Sequence, residues 1–337
     1  MTWDVVGHER AVALLSRAMA TDQLSHAYIL SGPESIGKRT LALQLARAAL
    51  CLSEDPSLVP CGECSSCTRV ASSNHPDLRM VELDAEHVQI SRKEIGQIQA
   101  DASLKPLLGQ RKVYVLVEVE RLSPIAGNQL LKLLEEPPSG VIFVLTSADV
   151  GAVLPTILSR CQLIRMQPAP RTVITHHLTE RLHLGSASAQ AIAEEAEGRI
   201  GWAIRAGSDS SLMETRASAI EELVNLIRAP SLARLLKAQE LAGRWSGDRL
   251  GVIAELDWWA HAFRDLAVHS VAAEGALRPV SSSASLTSIA GQLSTMRSVQ
   301  AARATQKTAR LLEQNVNPRL ALDTLFLDLP RVTIGET

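Results

Sequence analysis

The stretch Ser31–Thr40, SGPESIGKRT, nearly matches the phosphate-binding loop pattern G-x-x-x-x-G-K-[ST]. Gly32, Gly37 and Lys38 stand where that pattern has its two glycines and its phosphate-contacting lysine. The next position, which usually supplies a hydroxyl ligand for Mg²⁺, is Arg39, although Thr40 follows it directly. The stretch therefore predicts a phosphate-binding fold and leaves open whether the chain hydrolyses ATP.

The sequence on either side of this loop has the arrangement that a phosphate-binding loop requires. An apolar run, Ala27–Leu30, predicts a strand before the loop, and RTLALQLARAALC predicts a helix after it. Residues 9–20 predict a further amphipathic helix. Backbone N–H groups of the loop and of the helix start would then point at a bound anion. This arrangement favours a true phosphate loop over a glycine-rich segment that merely turns the chain.

Strands and helices alternate through the first half of the chain. The runs Val113–Val117 and VIFVLTSADV predict buried parallel strands, and NQLLKLLEEPP between them predicts a helix that ends at its proline pair. After Pro168 and Pro170 the pattern is helical throughout. We predict an α/β P-loop domain with a parallel sheet at 1–166, a small helical domain at 167–208 and an all-α domain at 209–337.

Four of the five cysteines lie close together, in a segment inserted after the predicted P-loop helix. They are Cys51, Cys61, Cys64 and Cys67. Two C-x-x-C steps that share their central cysteine, with a fourth thiolate nearby, are typical of a tetrahedral zinc site. Four protein ligands leave no position for water, so we expect a structural Zn²⁺. The alternative is a set of unrelated thiols beside a helix end.

Bulk composition excludes some classes of protein. With 34 basic and 36 acidic residues, the net charge of −2 gives no general affinity for nucleic acid, so any DNA contact must come from a local patch or from partner chains. No apolar run reaches the roughly 20 residues that span a bilayer. The first residues, MTWDVVGHER, carry charges where a signal peptide needs an apolar core. We therefore expect a cytoplasmic protein.

The end of the second strand bears on ATP hydrolysis. P-loop ATPases place an acidic residue there to help hold Mg²⁺, followed by a glutamate that orients the attacking water. Here the strand ends in Val117 and Glu118, so only the water-orienting position is acidic. Both Mg²⁺ positions, Arg39 and Val117, lack an oxygen ligand. We expect no hydrolysis by this chain alone, whereas weak binding of ATP or ADP through Lys38 and the loop stays open.

Several segments taken together resemble the clamp-loader AAA+ ATPases of the bacterial replicase. They are the loop and its helix, the cysteine segment, NQLLKLLEEPP, LPTILSRCQ and the late segment NVNPRLALDTLFLDLP. The likeness is strong over about 170 residues, weak in the middle and present again at the end. It implies an AAA+/RecA-like domain, a small helical lid and a carboxy-terminal helical collar. The partners it implies are gamma/tau-type ATPase subunits, a delta subunit, the sliding clamp and primed DNA.

The resemblance also implies roles for individual residues. The motif Ser159-Arg160-Cys161 matches the one that carries an arginine finger, which acts on the ATP site of a neighbouring subunit; Cys161 would then pack inside the fold. Gly201 stands where ATP-hydrolysing members have an arginine. We therefore predict a non-hydrolysing clamp-loader subunit. The alternatives are an ATP-hydrolysing gamma/tau-like subunit, or an unrelated P-loop nucleotide kinase, which would need its own arginine-rich lid after the loop.

Overall fold

The structure is a computed structural model that describes residues 3–55, 58–83, 89–271, 286, 288–289, 291–314 and 316–332. The chain forms two compact units, Met1–Ser208 and Asp209–Thr337. The finer division into three domains, with a lid at 167–208, stays a prediction. Within the described ranges, no helix combines the length and the apolar character needed to cross a membrane.

A parallel five-stranded sheet forms the centre of the first unit. Its strands are β1 (Ala27–Ser31), β2 (Leu78–Val81), β3 (Lys112–Leu116), β4 (Val141–Ser147) and β5 (Gln162–Arg165), and they lie in the order β2-β3-β4-β1-β5. In register, Ala27 of β1 lies opposite Phe143 of β4, and Tyr28 lies opposite Gln162 of β5. All residues of β1, β3 and β4 are buried, as expected for parallel strands covered on both faces.

Helices cover both faces of this sheet and bury two separate apolar layers. They are α1 (Glu9–Ala20), α2 (Lys38–Ala49), α3 (Ser65–Ala71), α4 (Arg92–Ala102), α5 (Pro124–Glu135) and α6 (Pro155–Leu158). Three further helices follow and pack against one another: α7 (Arg171–Leu182), α8 (Ser186–Glu195) and α9 (Ile200–Ser208). Because side chains alternate along a strand, Ala27 and Ile29 of β1 face the α4–α5 layer, whereas Tyr28 and Leu30 face the α1–α2 layer. The predicted parallel α/β domain is confirmed.

The strand order determines where a ligand can approach the sheet. The chain leaves β1 towards β2 on one side and leaves β4 towards β5 on the other. Connections that diverge in this way open a crevice at the carboxyl ends of the two strands, which in doubly wound α/β sheets is the usual ligand position. The loop that follows β1, residues 32–37, lies at that crevice.

The second unit is helical, as predicted for this part of the chain. Its helices are α10 (Ser211–Arg228), α11 (Ser231–Arg244), α12 (Arg249–Val271), α13 (Thr295–Glu313) and α14 (Pro318–Asp328). Trp259, Phe263 and Phe326 are fully buried in its core. Arg234, only 1% exposed, lies in the same interior.

The guanidinium of Arg234 joins the carboxyl ends of two helices. It donates hydrogen bonds to the carbonyl oxygens of Leu226 and Ile227 at the end of α10, at 2.8 and 2.9 Å. It also donates to those of Leu329 and Pro330, just after α14, at 2.6 and 2.9 Å. Helix carboxyl ends carry partial negative charge, so they compensate a buried cation without an acidic side chain.

Candidate nucleotide-binding and metal sites

The loop between β1 and α2 has the backbone that its glycines predict. Gly37 adopts a φ of 110°, in the left-handed region that side chains rarely occupy. A Cβ on Gly32 would lie 2.9 Å from the carbonyl oxygen of Met166, too close for any other residue to fit without movement. The loop is therefore built as a close backbone turn directly before the N-terminus of α2.

Lys38 lies folded against this loop. Its Nζ donates to the carbonyl oxygens of Gly32 at 2.6 Å and Pro33 at 2.8 Å. Burial lowers the pKa of Lys38, and the negative charges of Glu34, Glu120 and Glu118 oppose that effect. The ammonium group is thus within the loop, where a P-loop lysine contacts phosphate.

Arg39 is paired with Glu82, the residue that follows β2. Its Nε and Nη2 donate to the two carboxylate oxygens of Glu82, at 3.0 and 3.3 Å. Thr40, the neighbouring hydroxyl, is exposed. To bring its positive charge to a bound phosphate, Arg39 would first have to leave this carboxylate. The nucleotide-binding roles of Arg39 and Thr40 stay predictions.

The residue directly after Val117 at the end of β3 is a carboxylate, Glu118, and it is paired. Val117 packs against the apolar layer that contains α1 and α2. Glu118 has a φ of 57°, its backbone N–H donates to Thr146 Oγ1 at 3.1 Å, and its carboxylate pairs with Arg121 Nε at 3.1 Å. Burial raises the pKa of Glu118, and the positive charge of Arg121 opposes that rise.

Three residues that are distant in the sequence form hydrogen bonds with residues 35 and 36 of the loop, and the sequence did not predict these contacts. The backbone N–H of Gly201, near the start of α9, donates to the carbonyl oxygen of Ser35 at 2.7 Å, and a Cβ there would lie 2.8 Å from that oxygen. One turn later, Arg205 Nη2 donates to Ser35 Oγ at 2.9 Å. His8 Nε2 is 2.7 Å from the carbonyl oxygen of Ile36. No local pattern identifies His8 or Arg205, because their partners are distant in the sequence.

Arg160 lies at the surface, just after α6. Its Nη1 donates to the carbonyl oxygen of Thr156 at 2.8 Å and to Ser159 Oγ at 3.2 Å. Its Nη2 is 2.7 Å from Glu135 Oε1, and one third of the Arg160 side chain is exposed. Cys161, the next residue, packs against the apolar layer below, and burial raises the pKa of its thiol to about 12.

The four clustered cysteines meet in one place. Their Sγ atoms all lie within 4.8 Å of one another, and Cys51 and Cys61 are 3.6 Å apart at sulfur. Cys61 and Cys67 are 4.0 Å apart. A tetrahedral Zn²⁺ with Zn–S bonds of about 2.3 Å separates its sulfurs by roughly 3.8 Å. These residues, with Cys64, form what we call the four-cysteine cluster, and its dimensions fit a zinc ion.

Neighbouring groups orient the thiols of the four-cysteine cluster. Backbone N–H groups of Cys61, Cys64 and Cys67 each donate to the preceding sulfur of the cluster at 3.4 Å. Hydrogen bonds from the backbone N–H groups of Cys64 and Glu63 lower the pKa of Cys61 to about 6. Donors of this kind stabilise thiolates, the form that binds metal. The cluster brings four cysteine side chains together, which is the donor set of a structural zinc site.

A parallel sheet with a phosphate loop after β1, and contacts from α9 to that loop, is the arrangement of an α/β P-loop domain and resembles the AAA+ fold. Residues 7–170 match the profile of a family described as DNA polymerase III, delta subunit. This part of the chain is similar to the delta-type subunits of DNA polymerase III.

Individual relatives show a similarity over the same part of the chain. The chain is 36% identical over 172 residues to DNA polymerase III subunit delta′ of Bacillus subtilis, which is 51% of either chain. It is also 36% identical over 182 residues to subunit tau/gamma of Haemophilus influenzae, covering 53% of this chain and 25% of that one. The alignments thus span about half or less of these relatives. A solved structure of a DNA polymerase III gamma subunit-related protein from Thermotoga maritima is similar at 18% identity, with a TM-score of 0.47 over 94% of this chain and 97% of that one.

Proposed function

We propose that this chain is a non-hydrolysing subunit of the DNA polymerase III clamp loader. In this proposal it assembles with gamma/tau-type ATPase subunits and a delta subunit, and the complex places a sliding clamp on primed DNA. The chain contributes Arg160 to the ATP site of a neighbouring ATPase subunit. Its second, helical unit would join the collar of the complex.

The observation that carries the proposal is the loss of oxygen ligands for Mg²⁺ beside the phosphate loop. Mg²⁺ binds to oxygen at about 2.0–2.1 Å in near-octahedral geometry. The two positions that normally supply protein oxygens are Arg39, which is paired with Glu82, and Val117, which packs against the core. Without the metal, charge that develops on the transferred phosphoryl group is not neutralised.

The contacts of the neighbouring groups agree with this loss. Glu118, the remaining candidate for orienting water, pairs with Arg121. At Gly201, where hydrolysing members have an arginine, the backbone itself bonds to the loop. A side chain at that position would collide with Ser35.

The first experiment measures ATP turnover by the purified full chain. We expect a rate equal to that of the Lys38→Ala variant, because neither protein can hold Mg²⁺ at the phosphates. Turnover above background that disappears in Lys38→Ala would identify the chain as an ATP-hydrolysing gamma/tau-like subunit instead. We retain that alternative because the tau/gamma relative and the delta′ relative have the same sequence identity to this chain, 36%, over the matched residues.

The second experiment tests the arginine finger in the assembled complex. Arg160→Ala should leave the subunit folded and assembled, since a partly exposed ion pair contributes little to stability. ATP turnover at the site facing Arg160 should fall by roughly 10³-fold, with ATP affinity nearly unchanged, because a finger acts on charge that develops in the transition state. Arg160→Lys should rescue poorly, since an ammonium lacks the planar fork of donors. Normal clamp loading by an assembled Arg160→Ala complex would disprove the role.

A further inference from the structure

The guanidinium of Arg160 lies between the carboxyl ends of two helices. Thr156 O and Ser159 Oγ, at the end of α6, accept hydrogen bonds from its Nη1. Glu135, the last residue of α5, pairs with its Nη2 at 2.7 Å. The arginine is therefore attached both to its own helix and to a separate one.

The position of Glu135 does not favour the helix that carries it. A helix carboxyl end is partially negative, so a carboxylate in the last turn is unfavourable there. Glu136 follows at the C-cap of α5, which adds a second negative charge. The Arg160 guanidinium compensates this concentration of negative charge, and Glu135 is the one of the two that contacts it.

The contacts with Thr156, Ser159 and Glu135 use only part of the donor capacity of Arg160. Guanidinium has five N–H groups; Nη1 donates two hydrogen bonds, and the Glu135 oxygen that lies 2.7 Å from Nη2 can engage at most one of the two N–H groups there. The Nε–H and at least one Nη2–H therefore have no acceptor among the residues that the structure describes. The side chain is 33% exposed. Two N–H groups of one guanidinium are the donor set that pairs with a phosphate or carboxylate in bidentate fashion.

We propose that Glu135 is a positioning residue for Arg160. It fixes one side of the guanidinium so that the remaining N–H groups are presented, already oriented, to a phosphate of the neighbouring subunit's nucleotide. This inference rests on the proposed finger role of Arg160 and adds to it the group that orients the finger. A charge held in place before the reaction costs no reorganisation when the transition state forms.

The pair is partly exposed, so its effect is limited. Exposed ion pairs of this kind change an equilibrium by roughly 1.4- to 5-fold. We therefore expect Glu135→Ala to lower kcat for ATP turnover in the assembled complex by about 1.4- to 5-fold and to leave KM nearly unchanged. Glu135→Gln, which keeps an acceptor oxygen but loses the charge, should give a smaller loss. Glu136→Gln is the matched control at the same helix end and should behave like the wild type.

A double-mutant comparison distinguishes positioning from a structural effect. If Glu135 acts through Arg160, adding Glu135→Ala to Arg160→Ala should cause no further loss of kcat. The inference is overturned if Glu135→Ala raises turnover, which would mean that the carboxylate restrains the finger. It is also overturned by an unchanged kcat or by an equal loss in both backgrounds. If instead Arg160→Ala alone has no effect, the proposed function itself fails, and the two failures are thereby distinguished.

Discussion

Replacing Arg234 should destabilise the second unit far more than any surface substitution in it. In Arg234→Met the carbonyl groups of Leu226, Ile227, Leu329 and Pro330 lose a donor at 2.6–2.9 Å in an interior that water barely reaches. A buried acceptor that loses its donor costs about 1–3 kcal/mol, and four acceptors are affected here, so we expect a total loss of about 3–5 kcal/mol. Methionine keeps most of the side-chain volume, so the loss comes from the hydrogen bonds and not from a cavity.

The expected loss converts to a large shift in melting temperature. With an unfolding entropy of about 2.1 cal/mol/K per residue, a unit the size of Asp209–Thr337 loses about 11–18 °C for 3–5 kcal/mol. Calorimetry of the full chain should show this shift in one transition. Peptide-resolved hydrogen exchange should assign it to α10, α11 and α14.

The matched control for Arg234→Met is Arg303→Met. Arg303 is exposed on α13 in the same unit, so its replacement should change stability by less than about 0.5 kcal/mol. If the two variants melt within about 2 °C of each other, the buried carbonyl groups do not depend on the guanidinium and our reasoning about helix carboxyl ends is wrong.

The remaining predictions concern the first unit. Protein purified without added zinc should contain close to one Zn²⁺ per chain by elemental analysis, held by the four-cysteine cluster; iron or no metal would refute the assignment. Calorimetry should detect at most weak ATP or ADP binding that persists without Mg²⁺, and strict Mg²⁺ dependence would contradict it. Gly201→Ala places a Cβ 2.8 Å from Ser35 O and should cost about 1–3 kcal/mol. Its control is Gly243→Ala, where nothing lies within 4 Å; equal melting temperatures would show that the loop yields freely.

The sequence predicts the strongly apolar parts of the sheet and misses its edges. Strands β1, β3 and β4 each contain a run of four or five apolar residues, so their burial can be predicted from the sequence. The edge strands β2 and β5, with sequences LRMV and QLIR, carry charged or polar residues and only four positions each. The strand order cannot be predicted from the sequence either, because it depends on which strands pair across large separations in the chain.

For the site residues, the sequence predicts the motifs but not the side-chain pairs between distant positions. The glycines, Lys38 and the four cysteines follow motifs whose spacing reflects local geometry, and the structure brings the cysteines together as predicted. The partner of Arg39 is Glu82, which lies 43 residues away and on no shared motif. Likewise, a single sequence holds no signal that Arg205 reaches Ser35 or that Glu135 meets Arg160. Such pairs depend on the tertiary fold.

The place of β1 between β4 and β5 has a consequence for the newly made chain. β1 ends at Ser31, and its first partner strand begins only at Val141, 110 residues later. At about 5–20 residues per second, a ribosome needs roughly 5–20 s to supply it. The four-cysteine cluster, in contrast, is complete once Cys67 has emerged. A nascent chain therefore spends several seconds with its four cysteines already synthesised and with an apolar strand whose two edges are open, which is the kind of segment that molecular chaperones protect.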